Sequence, residues 1–512
     1  MVKKMVNNII SFGINGIDGY KVDVETDVSR GLPSFEIVGM PDTAVRESKE
    51  RVRSAYKNSG FTFPAKRITV NLAPASVKKI GSVYDLPILI GLLKSTGELN
   101  CNTEKSAFIG ELSLKGDVRP VNGVLPMVLK AKDLNLDSIY IPYDNVSEVE
   151  YIEGINIYPV KSIKQIIEHF SFKENEISPI IPKKFTTYQA TQYDINFSEV
   201  MGQYMAKRAL EIAAAGGHNV LLIGPPGSGK SMLAKRMLTI LPPLSFREAI
   251  ECTKIYSVAG KLDEKGLVTQ RPFRSPHHSI SDIALCGGGS NPKPGEISLS
   301  HSGILFLDEF TEFSTKSIES MRAPLEDGKI TVSRVSGSVD YPANFMLVCA
   351  MNPCKCGYLG HPTKECTCTP AQISKYVSKI SGPMLDRIDL HIDVPAVNYK
   401  EISKDTQEEK SEEILKRVIA ARRLQFIKYK GTGIYKNSDL TPSLIKKFCV
   451  LTDDAKDVLE KSFDKFNLTG RGYNKILKIS RTIADLEGSE KITKLHILEA
   501  LQYRAIDKYN QL

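Results

Sequence analysis

A glycine-rich stretch in the middle of the chain carries residue types suited to binding phosphate. The run VLLIGPPGSGKS, residues 220–231, joins an apolar strand-like segment to a loop and then to a helical segment. Glycines let backbone N–H groups turn toward an anion, and the helix start adds partial positive charge. Lys230 is long enough to reach the outer phosphates of a nucleotide, and the hydroxyl of Ser231 can bind Mg²⁺. The predicted ATP-binding residues are Gly224, Pro225, Pro226, Gly227, Ser228, Gly229, Lys230, Ser231 and Met232.

Two adjacent carboxylates follow a second apolar run further along the chain. Residues 304–307, ILFL, predict a buried strand of a parallel sheet, and Asp308 and Glu309 come directly after it. Ligands bind at the carboxyl ends of such strands, so Asp308 is suited to hold Mg²⁺ and Glu309 to polarise an attacking water. Adjacent carboxylates also occur in plain solvated turns. The complete P-loop upstream favours a hydrolysis centre.

The composition is that of an ordinary globular protein. The chain has 512 residues, enough for about two to four domains, with 42% hydrophobic and 25% charged residues. Its formal net charge of +9 permits nucleic-acid binding without proving it. The nine cysteines are an odd number, which argues against a disulfide framework. No apolar run has the length of a membrane span and the start does not resemble a signal peptide, so we expect a cytoplasmic protein with no membrane partner.

The first third of the chain predicts a separate α/β domain, residues 1–170, followed by a polar linker at residues 171–196. Alternating apolar residues predict strands, and apolar residues at helical spacing predict helices. The predicted strands are 9–13, 20–24, 35–39 and 67–72, and the predicted helices are 42–59 and 82–93.

The region after the P-loop mixes a long crossover with regular elements. Residues 271–303 contain two arginines, a His-His pair and three consecutive glycines, and we interpret them as a loop insertion. Metal binding by both histidines is awkward, because adjacent residues of an extended chain point to opposite sides. Residues 328–339 predict a β-hairpin, and residues 345–352 predict a buried strand that ends in Asn352.

Four cysteines cluster soon after that strand. Four thiols within fifteen residues suit a tetrahedral Zn²⁺ site with a structural role, although the C-x-C spacing is less diagnostic than C-x₂-C. A reduced cysteine-rich loop is the alternative. The candidate zinc ligands are Cys354, Cys356, Cys366 and Cys368.

The N-terminal region resembles a known family. Segments 32–55, 68–93 and 108–131 are similar to the N-terminal domain of the ComM/YifB family of magnesium-chelatase-like ATPases. That resemblance implies the fold of the Lon protease proteolytic domain, which is ribosomal protein S5 domain 2-like. The Lon motif would place its serine near Val83 and its lysine near Leu125, and neither residue is present. We therefore expect a non-proteolytic domain used in binding or assembly.

The resemblance extends over essentially the whole chain. It implies an α/β fold in which a P-loop AAA+ module follows the Lon-protease-like domain. The AAA+ core would span residues 197–395, with an insert in helix 2, a hairpin before sensor 1 and the cysteine cluster. A helical lid would span residues 396–512.

The resemblance also implies roles for individual residues. Asn352 matches sensor 1, and Arg387 matches an arginine finger that reaches the nucleotide of a neighbouring subunit. Arg471 matches sensor 2, with Arg481 as a second candidate, and Val200 would pack on the adenine. The predicted catalytic residues are Lys230, Glu309, Asn352, Arg387 and Arg471, and the predicted Mg²⁺ ligands are Ser231 and Asp308.

In related AAA+ rings the insert and the hairpin line the central channel. The candidate DNA contacts are therefore Lys329 and Arg334 in the hairpin, and Arg274 and His277 in the insert. Contacts of this kind to phosphates give affinity without sequence preference. An exposed hairpin with ordinary surface charges is the alternative.

The resemblance implies a function as well as a fold. It implies an ATP-driven ring, expected to be a homo-oligomeric hexamer, that acts on single-stranded or branched DNA. The activity would be that of a branch-migration helicase in homologous recombination during natural transformation, with ATP, Mg²⁺ and a structural Zn²⁺. The alternative is a magnesium-chelatase-like ATPase that remodels a protein partner. An ATP-dependent peptidase is disfavoured by the missing serine and lysine.

Overall fold

A computed structural model describes residues 7–171, 176–186, 193–289, 292–334, 337–396, 408–466 and 468–506. Its contacts divide the chain into two compact units. The first comprises Met1–Thr186 and Phe246–Val268, and the second comprises Thr187–Ser245 and Thr269–Leu512. Among the residues so described, no helix has both the length and the apolar character needed to cross a membrane.

The first unit is built on a seven-stranded sheet. Its strands are β1 (Asn7–Asn15), β2 (Asp18–Ser29), β3 (Ser34–Val38), β4 (Arg67–Ala73), β5 (Ser106–Phe108), β6 (Glu111–Leu112), β7 (Val118–Arg119), β8 (Ser138–Pro142) and β9 (Asn156–Val160). The sheet order is β3-β4-β2-β1-β5-β8-β9, and β6 and β7 form a separate ribbon. Strand β2 is antiparallel to β1 and β4, and the other neighbours in the sheet are parallel. The mixed α/β architecture agrees with the sequence prediction.

Five helices pack with this sheet. They are α1 (Thr43–Asn58), α2 (Asp85–Thr96), α3 (Val124–Asp133), α4 (Val146–Val149) and α5 (Ile163–Ser171). Helix α1 begins where the Asp42 carboxylate accepts the N–H of Val45, 2.8 Å away, which satisfies one of the free donors at a helix start. Helix α2 is buried on every side from Asp85 to Leu93, as its nearly continuous apolar run predicts.

The second unit is built on a five-stranded parallel sheet. Its strands are β10 (Val220–Ile223), β11 (Phe273–Arg274), β14 (Ile304–Leu307), β17 (Met346–Met351) and β18 (Leu390–Asp393). Two separate antiparallel ribbons are formed by β12 (Gly287–Gly288) with β13 (Lys293–Pro294), and by β15 (Lys329–Arg334) with β16 (Gly337–Pro342). The sheet order is β11-β14-β17-β10-β18. All four pairings are parallel, so the strand ends that carry side chains for ligand binding lie at one edge.

The remaining helices follow in chain order. They are α6 (Tyr204–Gly216), α7 (Lys230–Ile240), α8 (Phe246–Ala259), α9 (Asp282–Cys286), α10 (Glu296–Leu299), α11 (Thr315–Ser320), α12 (Arg322–Asp327), α13 (Pro370–Val377), α14 (Gly382–Leu385), α15 (Ser411–Lys428), α16 (Pro442–Phe448), α17 (Asp453–Lys465), α18 (Gly470–Leu486) and α19 (Lys494–Gln502). Short 3₁₀ turns occur at Tyr143–Asn145, Phe197–Glu199, Phe310–Glu312 and Asn437–Asp439.

Helix α8 belongs to the first unit although it follows the P-loop helix in sequence. Its Ser257 hydroxyl donates to the buried carboxylate of Glu148 at 2.5 Å, and Lys254 pairs with Asp18 at 2.6 Å. Gly266 lies so close to the Ser147 carbonyl that a Cβ would approach its oxygen to 2.1 Å. The crossover therefore contributes to the N-terminal core, which sequence analysis does not identify.

The described part of the predicted linker also packs on the first unit. Ile177 is buried, and the backbone N–H of Ile180 donates to the Ile157 carbonyl of β9 at 2.8 Å. The N–H of Lys183 donates to the Glu150 carbonyl at 2.7 Å. Residues 176–186 are therefore attached to the first unit rather than separate from it.

Arg481, the second candidate for sensor 2 after Arg471, lies in the core of the second unit. Its side chain is fully buried in α18, pairs with Asp485 at 3.0 Å and donates to the carbonyls of Ser489 and Glu490 at 2.5 and 2.7 Å. Lys428 reaches the same Asp485 carboxylate at 2.5 Å. This network links the end of α18 to α15, and the burial of Arg481 rules it out as a sensor of nucleotide.

We expect Arg481→Met to destabilise the second unit by about 3–5 kcal/mol, because it removes one partner of a buried ion pair and leaves buried carbonyls without donors. Thermal unfolding followed by circular dichroism measures the change. The control is Arg471→Met in the same helix, where the side chain is 66% exposed. Equal effects of the two changes would contradict a structural role for Arg481.

Candidate nucleotide-binding and hydrolysis site

In-register parallel strands bring the ends of three motifs to one sheet edge. Ile223 at the end of β10 pairs with Met351 at the end of β17, and Leu307 at the end of β14 pairs with Cys349. The P-loop, Asn352 and Asp308 each begin just beyond these strand ends. The chain thus assembles phosphate-binding and carboxylate groups side by side, as parallel sheets do at their ligand sites.

The P-loop has the shape required to surround an anion. Gly227 and Gly229 adopt φ of 78° and 89°, a left-handed backbone that favours glycine. Gly224 packs so tightly that a Cβ would approach the Val394 carbonyl oxygen to 2.1 Å. Helix α7 begins at Lys230 without a side-chain cap, so its first N–H groups can bind phosphate oxygens. These features fit a nucleotide phosphate chain.

Lys230 lies at the centre of the loop. Its ammonium group donates to the carbonyls of Gly224 and Pro225 at 2.7 and 2.9 Å, and lies 3.4 Å from the Asn352 side-chain oxygen. Burial lowers the pKa of Lys230, while nearby Asp308 opposes that change. The structure therefore places the cation and the predicted sensor amide in direct contact.

The predicted magnesium ligands also touch each other. The Ser231 hydroxyl donates to the Asp308 carboxylate at 2.6 Å, and the other Asp308 oxygen accepts the backbone N–H of Glu309 at 2.9 Å. A hydroxyl and a carboxylate oxygen at this separation are the hard ligands that Mg²⁺ prefers. Glu309 itself has φ of 52°, which is uncommon for a residue other than glycine and occurs often at functional sites.

His278 contacts the predicted catalytic carboxylate, and sequence analysis does not predict this contact. Its Nδ1 lies 3.1 Å from a Glu309 oxygen, and its ring centroid is 4.0 Å from that of His277. The contact arises because the two-residue strand β11 pairs in parallel with β14, so the residues that follow each strand meet. So short a strand gives almost no pattern in the sequence.

The two predicted arginines of the site lie at the opposite edge of the sheet. Leu390 pairs with Val220 at the amino ends of β18 and β10, and the Arg387 carbonyl accepts the Asn219 side chain at 2.9 Å just before β10. That edge is about 10 Å along the strands from the P-loop edge. The Arg387 guanidinium pairs with Glu326, and Arg471 lies 3.7 Å from Asp386.

Val200, the predicted adenine contact, and Met232, the last of the predicted P-loop residues, both belong to the apolar core. Val200 is buried, and Met232 packs partly buried against the same core cluster. Nearby, Gln203 donates to the Pro395 carbonyl at 2.7 Å and to the Ser228 carbonyl at 3.4 Å. These bonds tie the segment before α6 to the P-loop.

The four predicted zinc ligands converge. All four sulfur atoms lie within 4.8 Å of one another, and Cys354 is 3.4 Å from Cys356 and 3.6 Å from Cys366. A tetrahedral zinc with Zn–S bonds of about 2.3 Å needs sulfurs about 3.8 Å apart. The backbone N–H of Tyr358 is the largest influence that lowers the pKa of the Cys356 thiol to about 6. The cluster could therefore hold zinc with little rearrangement.

The candidate DNA contacts differ in their surroundings. Arg274 makes a two-point contact with Glu296 at 2.5 and 2.8 Å, and Lys329 pairs with Asp340 across the hairpin at 2.7 Å. His277 is exposed and bonds to the Ser279 hydroxyl at 2.8 Å. The Arg334 side chain lies outside the described residues. Two of the four candidates are thus already paired with carboxylates of their own chain.

Three family models match successive parts of the chain. Residues 196–402 match "Magnesium chelatase, subunit ChlI", and residues 24–145 match "Subunit ChlI of Mg-chelatase". Residues 408–504 match "Magnesium chelatase, subunit ChlI C-terminal". The matches include the P-loop, Asp308, Glu309 and both arginines.

Full-length relatives give a closer assignment. The chain is 40% identical over 495 residues to Competence protein ComM of Haemophilus influenzae, with 96% of each chain covered. It is 42% identical over 497 residues to YifB of Escherichia coli, again with 96% of each covered. Lon protease 2 of Bacillus subtilis matches over 143 residues at 29% identity, covering 26% of each chain. The chain therefore belongs to the ComM/YifB family of magnesium-chelatase-like proteins. Membership implies an AAA+ ATPase that uses ATP and Mg²⁺.

We expect Glu309→Gln to lower kcat for ATP hydrolysis by about 10²–10⁴-fold while ATP still binds, because the amide cannot accept a proton from the attacking water. Steady-state phosphate release and binding of a fluorescent ATP analogue measure the two effects separately. The control is Glu312→Gln, an exposed carboxylate three residues further on. Hydrolysis by Glu309→Gln at the wild-type rate would contradict the assignment.

Proposed function

We propose that this protein is an ATP-driven ring that moves DNA, acting as a branch-migration helicase in homologous recombination during natural transformation. The observation that carries the proposal is the similarity to Competence protein ComM over 96% of both chains. Competence is the state in which cells take up DNA, so the relative's name points to DNA as the substrate. The nucleotide site supplies the source of energy.

In the proposed hydrolysis, each site residue has one task. Lys230 exchanges the carbonyls of Gly224 and Pro225 for phosphate oxygens and offsets their charge. Ser231 and Asp308 hold Mg²⁺, which when bound neutralises phosphate charge. Glu309 orients the water for in-line attack, and Asn352, in contact with Lys230, lies beside the same position.

A ring accounts for the position of the arginines. Arg387 and Arg471 lie at the sheet edge away from the P-loop of their own chain, so their natural target is the nucleotide of a neighbouring copy. Both would stabilise the charge that develops on the transferred phosphoryl group. Repeating this head-to-tail contact closes a ring, and a hexamer is the expected size.

The insert and the hairpin are the proposed DNA-contacting elements. The formal net charge of +9 and the exposed His277 support this assignment. Lys329 and Arg274 would have to exchange Asp340 and Glu296 for phosphates, so we propose that they contribute less than unpaired cations would. Arg334 remains a candidate on sequence alone.

We also propose the predicted domain roles. The N-terminal domain, residues 1–170, would have the Lon-protease-like fold without its activity. Val83 and Leu125, at the positions of the Lon serine and lysine, are buried apolar residues. Ser82 is hydrogen-bonded to Glu111 and not to a lysine. The AAA+ core at 197–395, the helical lid at 396–512 and the cytoplasmic location stay predictions, and a linker at 171–196 has to allow for the attachment of residues 176–186 to the first unit.

Zn²⁺ is the proposed occupant of the cysteine cluster. Four cysteine thiolates are a usual ligand set of a structural zinc, and the four sulfur atoms lie within 4.8 Å of one another. The described cysteines form no disulfide, which leaves the thiols free to bind metal.

A magnesium-chelatase-like motor that remodels a protein partner is the second candidate. The family descriptions favour it, since all three name a magnesium chelatase subunit. Such a motor would share the ATP site and the ring but would not respond to DNA.

We expect single-stranded and branched DNA to raise the ATPase rate several-fold at about 50 mM salt and much less at about 200 mM, because phosphate contacts weaken as counterions compete. Phosphate release with each DNA at both salt concentrations measures this. A polyanion such as heparin serves as the control for charge alone. If DNA neither stimulates hydrolysis nor binds at low salt, the result would favour the protein-remodelling motor.

A further inference from the structure

The loop that carries the four cysteines also touches the nucleotide site. Gly357 lies against Pro226 of the P-loop, so close that a Cβ would approach the Pro226 ring atoms to 2.8 and 3.0 Å. Gly357 also has φ of 84°, a left-handed conformation in which a side chain is strained. Only glycine fits this contact without displacing the P-loop.

A second connection runs through Tyr376 in helix α13, which follows the same loop. Its hydroxyl accepts the hydroxyl of Thr311 at 2.6 Å, and the Asn352 backbone acts to lower the pKa of Tyr376 against the larger rise that burial causes. Thr311 lies two residues after Glu309, so the tyrosine joins the sensor strand to the segment beside the catalytic carboxylate. The cysteine loop is therefore bounded by Asn352 on one side and by helix α13 on the other.

Few residues of the loop are buried. Between residues 355 and 369, Gly357 is the only buried residue that the structure describes. The Cys356 sulfur lies 3.4 Å from the Cys354 sulfur and 3.6 Å from the Cys366 sulfur. A metal ion bound by all four sulfur atoms would cross-link the two ends of the loop.

We propose that a zinc ion in the cluster of Cys354, Cys356, Cys366 and Cys368 holds this loop as a brace against Pro226, so that zinc occupancy controls nucleotide affinity. The proposal rests on the proposed nucleotide site and on zinc as the occupant. With the metal bound, the loop supports the P-loop in the shape that binds phosphate. With the metal removed, the loop loses the cross-link between its four cysteines, and the P-loop loses a packing partner.

The first test removes and restores the metal in the full-length protein. Zinc content is measured by elemental analysis, and the affinity for a fluorescent ATP analogue is measured with Mg²⁺ present. Removal of zinc with a chelator, followed by gel filtration, should weaken binding at least tenfold, and added ZnCl₂ should restore it. Unchanged affinity after verified zinc loss would overturn the brace. Purified protein without zinc would overturn it as well, together with the assignment of zinc as the occupant.

The second test separates the contact from the metal. Gly357→Ala should keep one zinc per chain yet bind the ATP analogue at least tenfold more weakly, because the methyl group pushes on Pro226. The matched control is Gly360→Ala in the same loop, where φ is 74° and nothing lies within 4 Å of the added carbon. Equal loss in both variants would assign the effect to backbone strain and overturn the brace. Absence of nucleotide binding in the wild-type protein would instead contradict the proposed nucleotide site.

Discussion

The in-register parallel pairing of β14, β17 and β10 is the constraint on which the site depends. Strands β10 and β17 end together at Ile223 and Met351, and β14 ends at Leu307, opposite Cys349 two residues earlier. The P-loop, Asn352 and Asp308 therefore follow neighbouring strand ends and meet there. Their contacts follow: Ser231 bonds to Asp308 at 2.6 Å, and Lys230 lies 3.4 Å from Asn352. A shift of one strand by a residue would move its end by about 3 Å and break these contacts.

The same sheet also positions the predicted arginines, at the amino ends of its strands. The amino ends of β10 and β18 carry Asn219 and the segment before Leu390, and this segment presents Arg387 away from the P-loop of its own chain. A single copy therefore holds the P-loop and the predicted arginines at opposite ends of short strands. In the proposed ring, two copies would be needed to bring them together, which would couple ATP hydrolysis to assembly. The brace at Gly357 would add a third condition, the presence of metal.

Local patterns predict most of the site, and long-range pairing decides the rest. The strand Val220–Ile223 and the carboxylates after β14 could be predicted because apolar runs and glycines act over a few residues. The contact of His278 with Glu309 could not, since it depends on a strand of two residues. The packing of α8 in the first unit could not be predicted either, because its contact between Ser257 and Glu148 joins residues 109 positions apart.

The most direct test of a shared hydrolysis site is complementation between two inactive chains. One chain carries Lys230→Ala and the other carries Arg387→Ala, and each alone should hydrolyse ATP at a small fraction of the wild-type rate. Random mixed rings should recover up to about a quarter of wild-type sites, because an intact Lys230 then meets an intact Arg387 from its neighbour. Phosphate release by verified mixed rings measures the recovery. Full activity of the Arg387→Ala chain alone, or no recovery in mixed rings, would contradict the shared site.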